Sequence, residues 1–287
     1  MKNLLNCLFA FLLVTGSVNA QGSKVYDNLI VKSKILNMDR KFAIYLPPGY
    51  ETSQRSYPVL YLLHGAGDDQ TGWVQFGEIQ QIADKSIAAG IATEMIVVMP
   101  DANTGRRGYF NSIKGDWRYE DFFFQELMPF VEKTYRIKTE KRFRAISGLS
   151  MGGGGTLMYA MHHPELFSSA CPLSASTGPL TVEDMRKNIS RDNPSLADTA
   201  VASYFNRHSA IALANNMPDS LKKTVRWYID CGDDDFLFEG NSLLHIAMRK
   251  KEIPHEFRIR EGGHTWTYWR ESLPEVLRYV SMSFHQF

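Results

Sequence analysis

The sequence predicts a three-layer α/β sandwich with a mostly parallel central sheet. Short uninterrupted apolar runs, such as residues 59–63, are typical of strands buried on both faces of a parallel sheet. These runs alternate with helical stretches along the chain. Distinctive polar or glycine-rich residues follow several of the runs, and open α/β sheets place their sites at the carboxyl ends of the strands. We therefore expect one functional site along that edge.

The chain begins with a predicted secretory signal peptide. Residues 1–14 form a short basic head followed by an apolar core, and Val18-Asn-Ala20 resembles a small-residue cleavage site. The apolar run is too short for a comfortable membrane span, although a retained N-terminal anchor is the alternative. We expect cleavage after residue 20 and export to the periplasm or the exterior. Residues 21–287 are enough for a single domain with a full core, and no linker, charge block or internal repeat divides them.

The composition excludes several classes of partner. Loss of residues 1–20 removes only Lys2 among the charged residues, which leaves 31 basic and 31 acidic side chains. This balance gives no electrostatic reason to expect nucleic acid or an anionic membrane as a partner. Cys171 and Cys231 are too few for a disulfide framework, and burial as small apolar residues is favoured over pairing. No His and Cys cluster has the spacing of a metal site, so no metal is expected.

The strands are predicted in order from the apolar runs. Residues 25–36 partly alternate in polarity, as an exposed antiparallel strand does, and residues 40–46 follow as its partner. Pro47-Pro-Gly-Tyr50 then breaks the chain. The remaining runs are predicted to be the inner strands, at 59–63, 95–99, 143–146, 169–173, 225–229 and 257–259.

Gly148-Leu-Ser150-Met-Gly152 has the pattern of a nucleophile elbow, a strained turn that presents a serine between a strand and a helix. A flexible Gly/Ser loop is the simpler interpretation of five such residues. The apolar run before them and the helix-like residues 156–161 after them supply strand, turn and helix in the required order. Ser150 is therefore the candidate nucleophile, at a helix N-terminus that favours a developing negative charge.

A second glycine-rich turn, His64-Gly-Ala66-Gly, follows the run at 59–63. It can direct the backbone N–H of Ala66 towards the same point as the N–H of Met151. Two such donors form an oxyanion hole. His64 is expected to orient this turn by hydrogen bonding and to take no proton.

A carboxylate after a late strand is needed to hold the imidazole of a serine hydrolase in the right tautomer. The run at 225–229 is followed by Asp230 and then by Asp233, Asp234 and Asp235. Asp230 lies at the strand edge, whereas Asp235 is far enough into the loop to reach a neighbouring one. Position alone favours Asp235, with Asp234 and Asp233 as alternatives.

His264 is the candidate base. It follows two glycines in the loop after the last predicted strand, from which it can approach the serine. Among the other histidines, only His208 is not dismissed by its position. The order Ser150, Asp235, His264 is the order of nucleophile, acid and base in α/β-hydrolases.

The chain resembles the esterase D-like group of α/β-hydrolases, which contains feruloyl and acetyl xylan esterases, S-formylglutathione hydrolases and mycolyltransferases. The resemblance implies an α/β-hydrolase fold and places nucleophile, acid and base on Ser150, Asp235 and His264, which settles the choice among the aspartates. It places the oxyanion donors on Ala66 and Met151. The matching motifs span nearly the whole chain after the leader: Tyr45-Leu-Pro-Pro-Gly-Tyr50, Pro58-Val-Leu-Tyr-Leu-Leu-His-Gly65, Met99-Pro-Asp101, Tyr119-Glu-Asp-Phe122 with Glu126-Leu127, Gly148-Leu-Ser-Met-Gly-Gly153, His163-Pro-Glu-Leu-Phe167, Cys231-Gly-x-x-Asp235 and Gly262-Gly-His264.

Within this family the export signal favours carbohydrate esterases over the cytosolic formylglutathione hydrolases. The whole chain most resembles feruloyl esterases of plant-cell-wall-degrading bacteria. The resemblance therefore implies two-step acyl transfer from an ester-decorated plant polysaccharide or oligosaccharide such as xylan, without a metal or organic cofactor. Residues 176–223 form a long polar segment that is expected to be a cap insertion. Five aromatic residues after strand ends are candidates for stacking on a hydroxycinnamoyl group: Trp73, Tyr109, Phe110, Trp117 and Trp266.

Three other functions remain open at this stage. An acetyl xylan esterase or general short-chain esterase shares every catalytic residue and differs in the size of its acyl pocket. An acyltransferase passes the acyl group to an acceptor other than water. A non-catalytic carbohydrate-binding protein keeps the fold but has no use for the serine.

Overall fold

An eight-stranded sheet forms the centre of the molecule. The computed structural model describes residues 22–105, 108–190 and 194–285, so the predicted signal peptide at 1–20 lies outside the described residues. The strands run in the order β1-β2-β4-β3-β5-β6-β7-β8 across the sheet. Their bounds are β1 Lys24–Ser33, β2 Met38–Leu46, β3 Val59–Leu63, β4 Ile96–Pro100, β5 Arg144–Leu149, β6 Ser169–Leu173, β7 Arg226–Gly232 and β8 His255–Arg260.

The strand directions agree with the predicted fold class. β3 pairs in parallel with β4 and β5, and the parallel pairing continues from β5 to β8. β2 is antiparallel to both β1 and β4. A mostly parallel sheet with an antiparallel N-terminal hairpin confirms the α/β-hydrolase architecture that the sequence predicted. All parallel strands therefore end at one edge, where the glycine-rich turns emerge.

Helices cover both faces of the sheet and make it the middle of three layers. Successive residues of β3 illustrate this, because Tyr61 belongs to one apolar core and Leu62 to the other. One core packs against α3, α4, α5, α8 and α9, and the other against α2 and α10. The helices are α1 Gly72–Gln75, α2 Ile79–Ala88, α3 Tyr119–Phe122, α4 Met128–Thr134, α5 Met151–His162, α6 Val182–Ser190, α7 Asp198–His208, α8 Ala210–Asn215, α9 Phe238–Lys250 and α10 Trp266–His285.

Several strand ends differ from the prediction. The first strand stops at Ser33, whose hydroxyl accepts a hydrogen bond from the N–H of Leu36 (2.9 Å) and so forms a turn where the sequence suggested more strand. β5 and β7 extend three residues beyond their apolar runs, to Leu149 and Gly232. These extra residues pair with the parallel strands β6 and β8. Pairing with a neighbouring strand cannot be read from the pattern of side chains.

The segment 176–223 leaves the sheet directly beside the predicted elbow. The N–H of Ser176 donates to the carbonyl of Ser150 at 3.0 Å, and the N–H of Ala210 donates to the carbonyl of Thr177 at 2.9 Å. Between Thr177 and β7 the segment contains α6, α7, α8 and a 3₁₀ turn at Asp219–Leu221. Its role as a cap stays a prediction.

The described residues also bear on partners and cysteines. Within the ranges that the structure covers, no helix has both the length and the apolar character of a membrane span. Cys171 and Cys231 are buried free thiols on the neighbouring strands β6 and β7. Burial raises the pKa of both thiols, which keeps them protonated.

Candidate active site

Ser150 occupies a strained backbone conformation between β5 and α5. Its φ of 55° and ψ of −116° lie in a region that non-glycine residues rarely adopt. The N–H of Ser150 donates to the carbonyl of Leu173 on β6 at 2.9 Å, and its own carbonyl accepts from the N–H of Gly154 at 3.0 Å. These contacts hold the strained turn in place, as a functional outlier requires.

The two glycines of the motif allow β5, α5 and β3 to approach one another closely. A Cβ on Gly148 would lie 2.5 Å from the carbonyl oxygen of Gly152, and a Cβ on Gly152 would lie 2.5 Å from that of Leu63. Both neighbours are backbone atoms, which cannot rotate away as a side chain can. Glycine is therefore required at both positions by the packing of the elbow.

Three side chains from separate loops form one hydrogen-bonded chain. His264 Nε2 lies 2.9 Å from Ser150 Oγ, and His264 Nδ1 lies 2.8 Å from Asp235 Oδ2. A carboxylate can only accept, so Nδ1 carries the hydrogen and Nε2 is free to accept one. The imidazole is thereby placed to take the proton of the Ser150 hydroxyl.

Asp235 is buried and fixed by several donors. Leu237 N–H donates to its Oδ1 at 2.8 Å. Burial alone would raise the pKa of this carboxyl, but hydrogen bonds from His264, Leu237 N–H and Ser174 outweigh burial and lower the pKa. Asp235 therefore stays ionised at neutral pH and can stabilise a positively charged imidazole.

The other aspartates of this loop have different partners. Asp230 is fully buried and accepts from Tyr228 and Tyr268, while Arg260 pairs with it at 3.0 Å. Asp233 and Asp234 are exposed, and Oδ1 of Asp233 accepts from Gly262 N–H at 2.9 Å. Of the four carboxylates, Asp235 is the one in contact with His264.

Ser174 and Trp269 support the acid and the base, and the sequence analysis missed both. Ser174 follows β6 with a φ of 43°, its side chain helps to lower the pKa of Asp235, and its hydroxyl accepts from Trp269 Nε1 at 3.1 Å. The Trp269 ring is also 4.9 Å from the imidazole of His264. Applying the strand-end rule to β6 would have found Ser174, because it is the first residue after that strand.

The predicted oxyanion donors lie beside one pocket of about 430 Å³, lined by His64, Ala66, Gly67, Asp68, Ala102, Asn103, Gly105 and Met151. Met151 is the first residue of α5, so its N–H has no partner within the helix. A pocket at this position can receive an oxygen bound to the carbon that Ser150 attacks. The donor role of Ala66 and Met151 stays a prediction.

His64 holds the turn that carries Ala66. Its Nδ1 lies 2.8 Å from the Gly65 carbonyl, and its Nε2 accepts from Ala102 N–H at 2.9 Å. Burial lowers the pKa of His64, so the ring is neutral and both nitrogens serve these backbone contacts. The ring links the loops after β3 and β4, in agreement with the expected orienting role.

The structure contradicts the predicted substrate contact of two of the five aromatic residues. Trp73 and Tyr109 are completely buried. The indole N–H of Trp73 donates to the carbonyl of Leu63 at 3.0 Å, and the Tyr109 hydroxyl donates to the carbonyl of His64 at 3.1 Å. Both rings fold beneath the turn because these carbonyls lie at the end of β3. They stabilise the turn after β3 and are buried away from any substrate.

The other three predicted aromatics are partly exposed. Phe110 lies 5.6 Å from His208 of the segment 176–223, and Trp117 closes a small turn by hydrogen bonds with Ser112. Trp266 packs 5.3 Å from Trp269, next to His264. Contact of these rings with a substrate stays a prediction.

Phe236 is an aromatic residue at the site that the sequence analysis missed. Its side chain is 75% exposed, and its ring lies 4.5 Å from the imidazole of His264. Its position directly after Asp235 was the available signal, because a residue next to the catalytic acid lies close to the site.

His208, the other histidine left open, is engaged elsewhere. Its Nδ1 lies 2.9 Å from the Tyr204 carbonyl and its ring stacks on that of Tyr204 at 3.8 Å. Burial lowers the pKa of His208 to about 4. His264, and not His208, is therefore the histidine in contact with Ser150. Across the described ranges, no group of three or more His, Cys, Asp or Glu side chains is arranged to hold a metal ion.

The family model described as "Putative esterase" matches residues 33–280. The chain belongs to this esterase family. The match takes in the elbow, Asp235 and His264, and it confirms the resemblance drawn from the sequence motifs.

Individual relatives agree with the family assignment. The chain is 37% identical over 246 residues to an endo-1,4-beta-xylanase/feruloyl esterase of Xylanibacter ruminicola, an alignment that covers 81% of the chain and 28% of the relative. It is 29% identical over 256 residues to an esterase of Mycobacterium tuberculosis, covering 78% of the chain and 52% of the relative. The chain thus spans about half the length of one relative and less of the other. A solved ferulic acid esterase superposes with a TM-score of 0.80 at 34% identity, covering 92% of the chain and 99% of that structure.

We predict that Gly148→Ala destabilises the protein, because the new methyl group would lie 2.5 Å from the carbonyl oxygen of Gly152 and 2.7 Å from Cβ of Leu63. Overpacking of this kind costs about 1–3 kcal/mol, and we expect the upper end of that range. Urea denaturation gives the free energy of unfolding. Gly22→Ala is the matched control, since a Cβ there meets nothing within 4 Å. Equal free energies of unfolding for the two variants would contradict the prediction, because the elbow would then accommodate a Cβ at position 148.

Proposed function

We propose that this chain is an exported serine carboxylesterase that releases hydroxycinnamic acids, such as ferulic acid, from plant cell-wall xylan. The hydrogen-bonded chain of Ser150, His264 and Asp235 carries this proposal. A strained serine at the N-terminus of a helix, beside a base oriented by a buried carboxylate, is suited to acyl transfer. The catalytic mechanism follows from this geometry in two steps.

In the first step His264 Nε2 removes the proton from Ser150 as Oγ attacks the ester carbonyl carbon. The carbonyl oxygen becomes an oxyanion and accepts hydrogen bonds from the N–H groups of Ala66 and Met151. Asp235 stabilises the imidazolium that forms. When the C–O bond breaks, His264 returns the proton to the departing alcohol oxygen and the acyl group remains on Ser150.

In the second step water takes the place of the alcohol. His264 removes a proton from the water as its oxygen attacks the acyl carbon, and the same two N–H groups hold the new oxyanion. Collapse of this intermediate transfers the proton from His264 to Ser150 Oγ and releases the carboxylic acid. Every proton in the cycle passes through the imidazole, so the reaction draws on this chain's own residues.

The choice of a hydroxycinnamoyl ester rests on two relatives that match at more than 30% identity. The Xylanibacter protein has two activities in its name, and the chain corresponds to 28% of its length. The solved ferulic acid esterase is covered almost completely, which supports the esterase as the shared part. The pocket beside Ala66 and Met151, at about 430 Å³, falls within the range of small-molecule sites. We assign it to the acyl group.

The leader at residues 1–20 supports export, since a polymeric cell-wall substrate cannot enter a cell. Sequencing the N-terminus of protein recovered from the periplasm or culture fluid should give Gln21 as the first residue. Recovery with Met1 intact would favour the retained anchor.

We predict that Ser150→Ala and His264→Ala each lower kcat by about 10⁴- to 10⁶-fold with little change in unfolding free energy. Asp235→Asn should lose less, because serine and imidazole remain in contact. Steady-state kinetics on an activated ester measures these effects. Asp234→Asn is the matched control, and we expect its activity on an activated ester that carries no sugar to equal that of the wild type because Asp234 is exposed. A larger loss in Asp234→Asn than in Asp235→Asn would contradict the assignment of the acid.

We predict at least about a tenfold preference in kcat/KM for methyl ferulate over methyl acetate, since a filled acyl pocket contributes binding energy to the transition state. The assay uses protein beginning at Gln21, with Ser150→Ala as the blank. Faster turnover of acetate would keep the mechanism and move the function to an acetyl xylan or short-chain esterase. Activity on neither ester would contradict the proposed function.

A further inference from the structure

Phe236 places a large apolar surface in water beside the base. It is the most exposed of the large hydrophobic residues in the described ranges, at 75%, although its neighbours Asp235 and His264 are largely shielded. Single exposed apolar residues are common and need no explanation by themselves. Phe236 differs because its ring contacts the imidazole of His264, 4.5 Å from centroid to centroid.

The backbone at Phe236 is held by the residue that orients the base. Leu237 N–H donates to the Asp235 carboxylate at 2.8 Å, and Phe238 N–H donates to the Asp235 carbonyl at 2.9 Å. Phe236 therefore lies at the tip of a tight turn that is closed by hydrogen bonds to the carboxylate and the carbonyl of Asp235. The turn leads directly into α9, which begins at Phe238. An exposed ring on so constrained a backbone is a preorganised contact surface.

The chemistry of acyl transfer identifies which half of an ester reaches this ring. In the tetrahedral intermediate the oxyanion faces Ala66 and Met151, whereas the departing alcohol oxygen must lie within hydrogen-bonding distance of His264 Nε2. The group attached to that oxygen then extends past the imidazole, on the side away from the oxyanion donors. Phe236 is the exposed ring in contact with that imidazole.

The surroundings of the ring indicate the chemical class of the alcohol. Asp233 and Asp234 precede it and are both exposed, so they present acceptors to hydroxyl groups and repel anions. A neutral polyol with an apolar C–H face satisfies both the ring and the carboxylates. A pyranose or furanose ring has these properties.

We propose that Phe236 forms the binding surface for the sugar on the alcohol side of the ester. This inference rests on the proposed function and extends it to the leaving group. The ring contacts the sugar until the C–O bond breaks and has no partner during hydrolysis of the acyl-enzyme. Its contribution therefore appears in acylation by sugar esters alone.

The test compares two esters of the same acid, methyl ferulate and a feruloylated xylo-oligosaccharide, in wild type and in Phe236→Ala. Both esters give the same acyl-enzyme, so a difference between them reports on the alcohol. We expect kcat/KM for the oligosaccharide ester to fall about three- to tenfold, the range of an aromatic contact, and that for the methyl ester to change less than about twofold. Phe236→Tyr should keep wild-type values on both.

Phe130→Ala is the matched control, because it removes another exposed phenylalanine, on α4, whose ring packs on Phe42. It should leave both esters unaffected. An equal fall on both esters in Phe236→Ala would overturn the inference, because the ring would then act by supporting His264. No change on either ester would overturn it as well. Failure of the proposed function is distinguishable, since wild type would then hydrolyse neither ester.

Discussion

The close approach of α5 to the end of β3 is the constraint on which the site depends. It brings Gly152 against the carbonyls of Leu63 and His64, at distances that leave no space for a Cβ. This contact sets the elbow, which carries Ser150, beside the turn that carries Ala66. The serine and both proposed oxyanion donors are consequently brought together by backbone packing.

The remaining parts of the site are supported from beneath by buried polar contacts. On the oxyanion side, His64, Trp73 and Tyr109 satisfy the backbone groups left unpaired where β3 ends. On the acid side, Ser174 stabilises the ionised Asp235 carboxylate, and Trp269 Nε1 donates to the Ser174 hydroxyl. Both sets convert loops into rigid supports, which is what a catalytic geometry within fractions of an ångström requires.

The fold and the positions of Ser150 and His264 could be predicted because apolar runs and paired glycines are local signals. Position in the loop only favoured Asp235, and the family resemblance settled the choice among the aspartates. The five aromatics were harder, because exposure depends on how a loop folds back on the sheet. Trp73 was assigned to the substrate and lies in the core, whereas Phe236 was overlooked and lies in solvent. Strand ends such as Leu149 depend on pairing across the sheet, which no residue pattern records.

The hydrogen bond from Ser176 to Ser150 has a consequence for how much the length of the following segment can change. Together with the bond from Ala210 to Thr177, it fixes the start of the segment that precedes β7, so the chain between 178 and 209 is a closed excursion from the scaffold. Closing a longer loop costs little additional entropy, about 0.6 kcal/mol for each doubling of length. A change in the length of this excursion therefore costs little loop entropy and leaves intact the hydrogen bond from Ser176 to the carbonyl of the nucleophile.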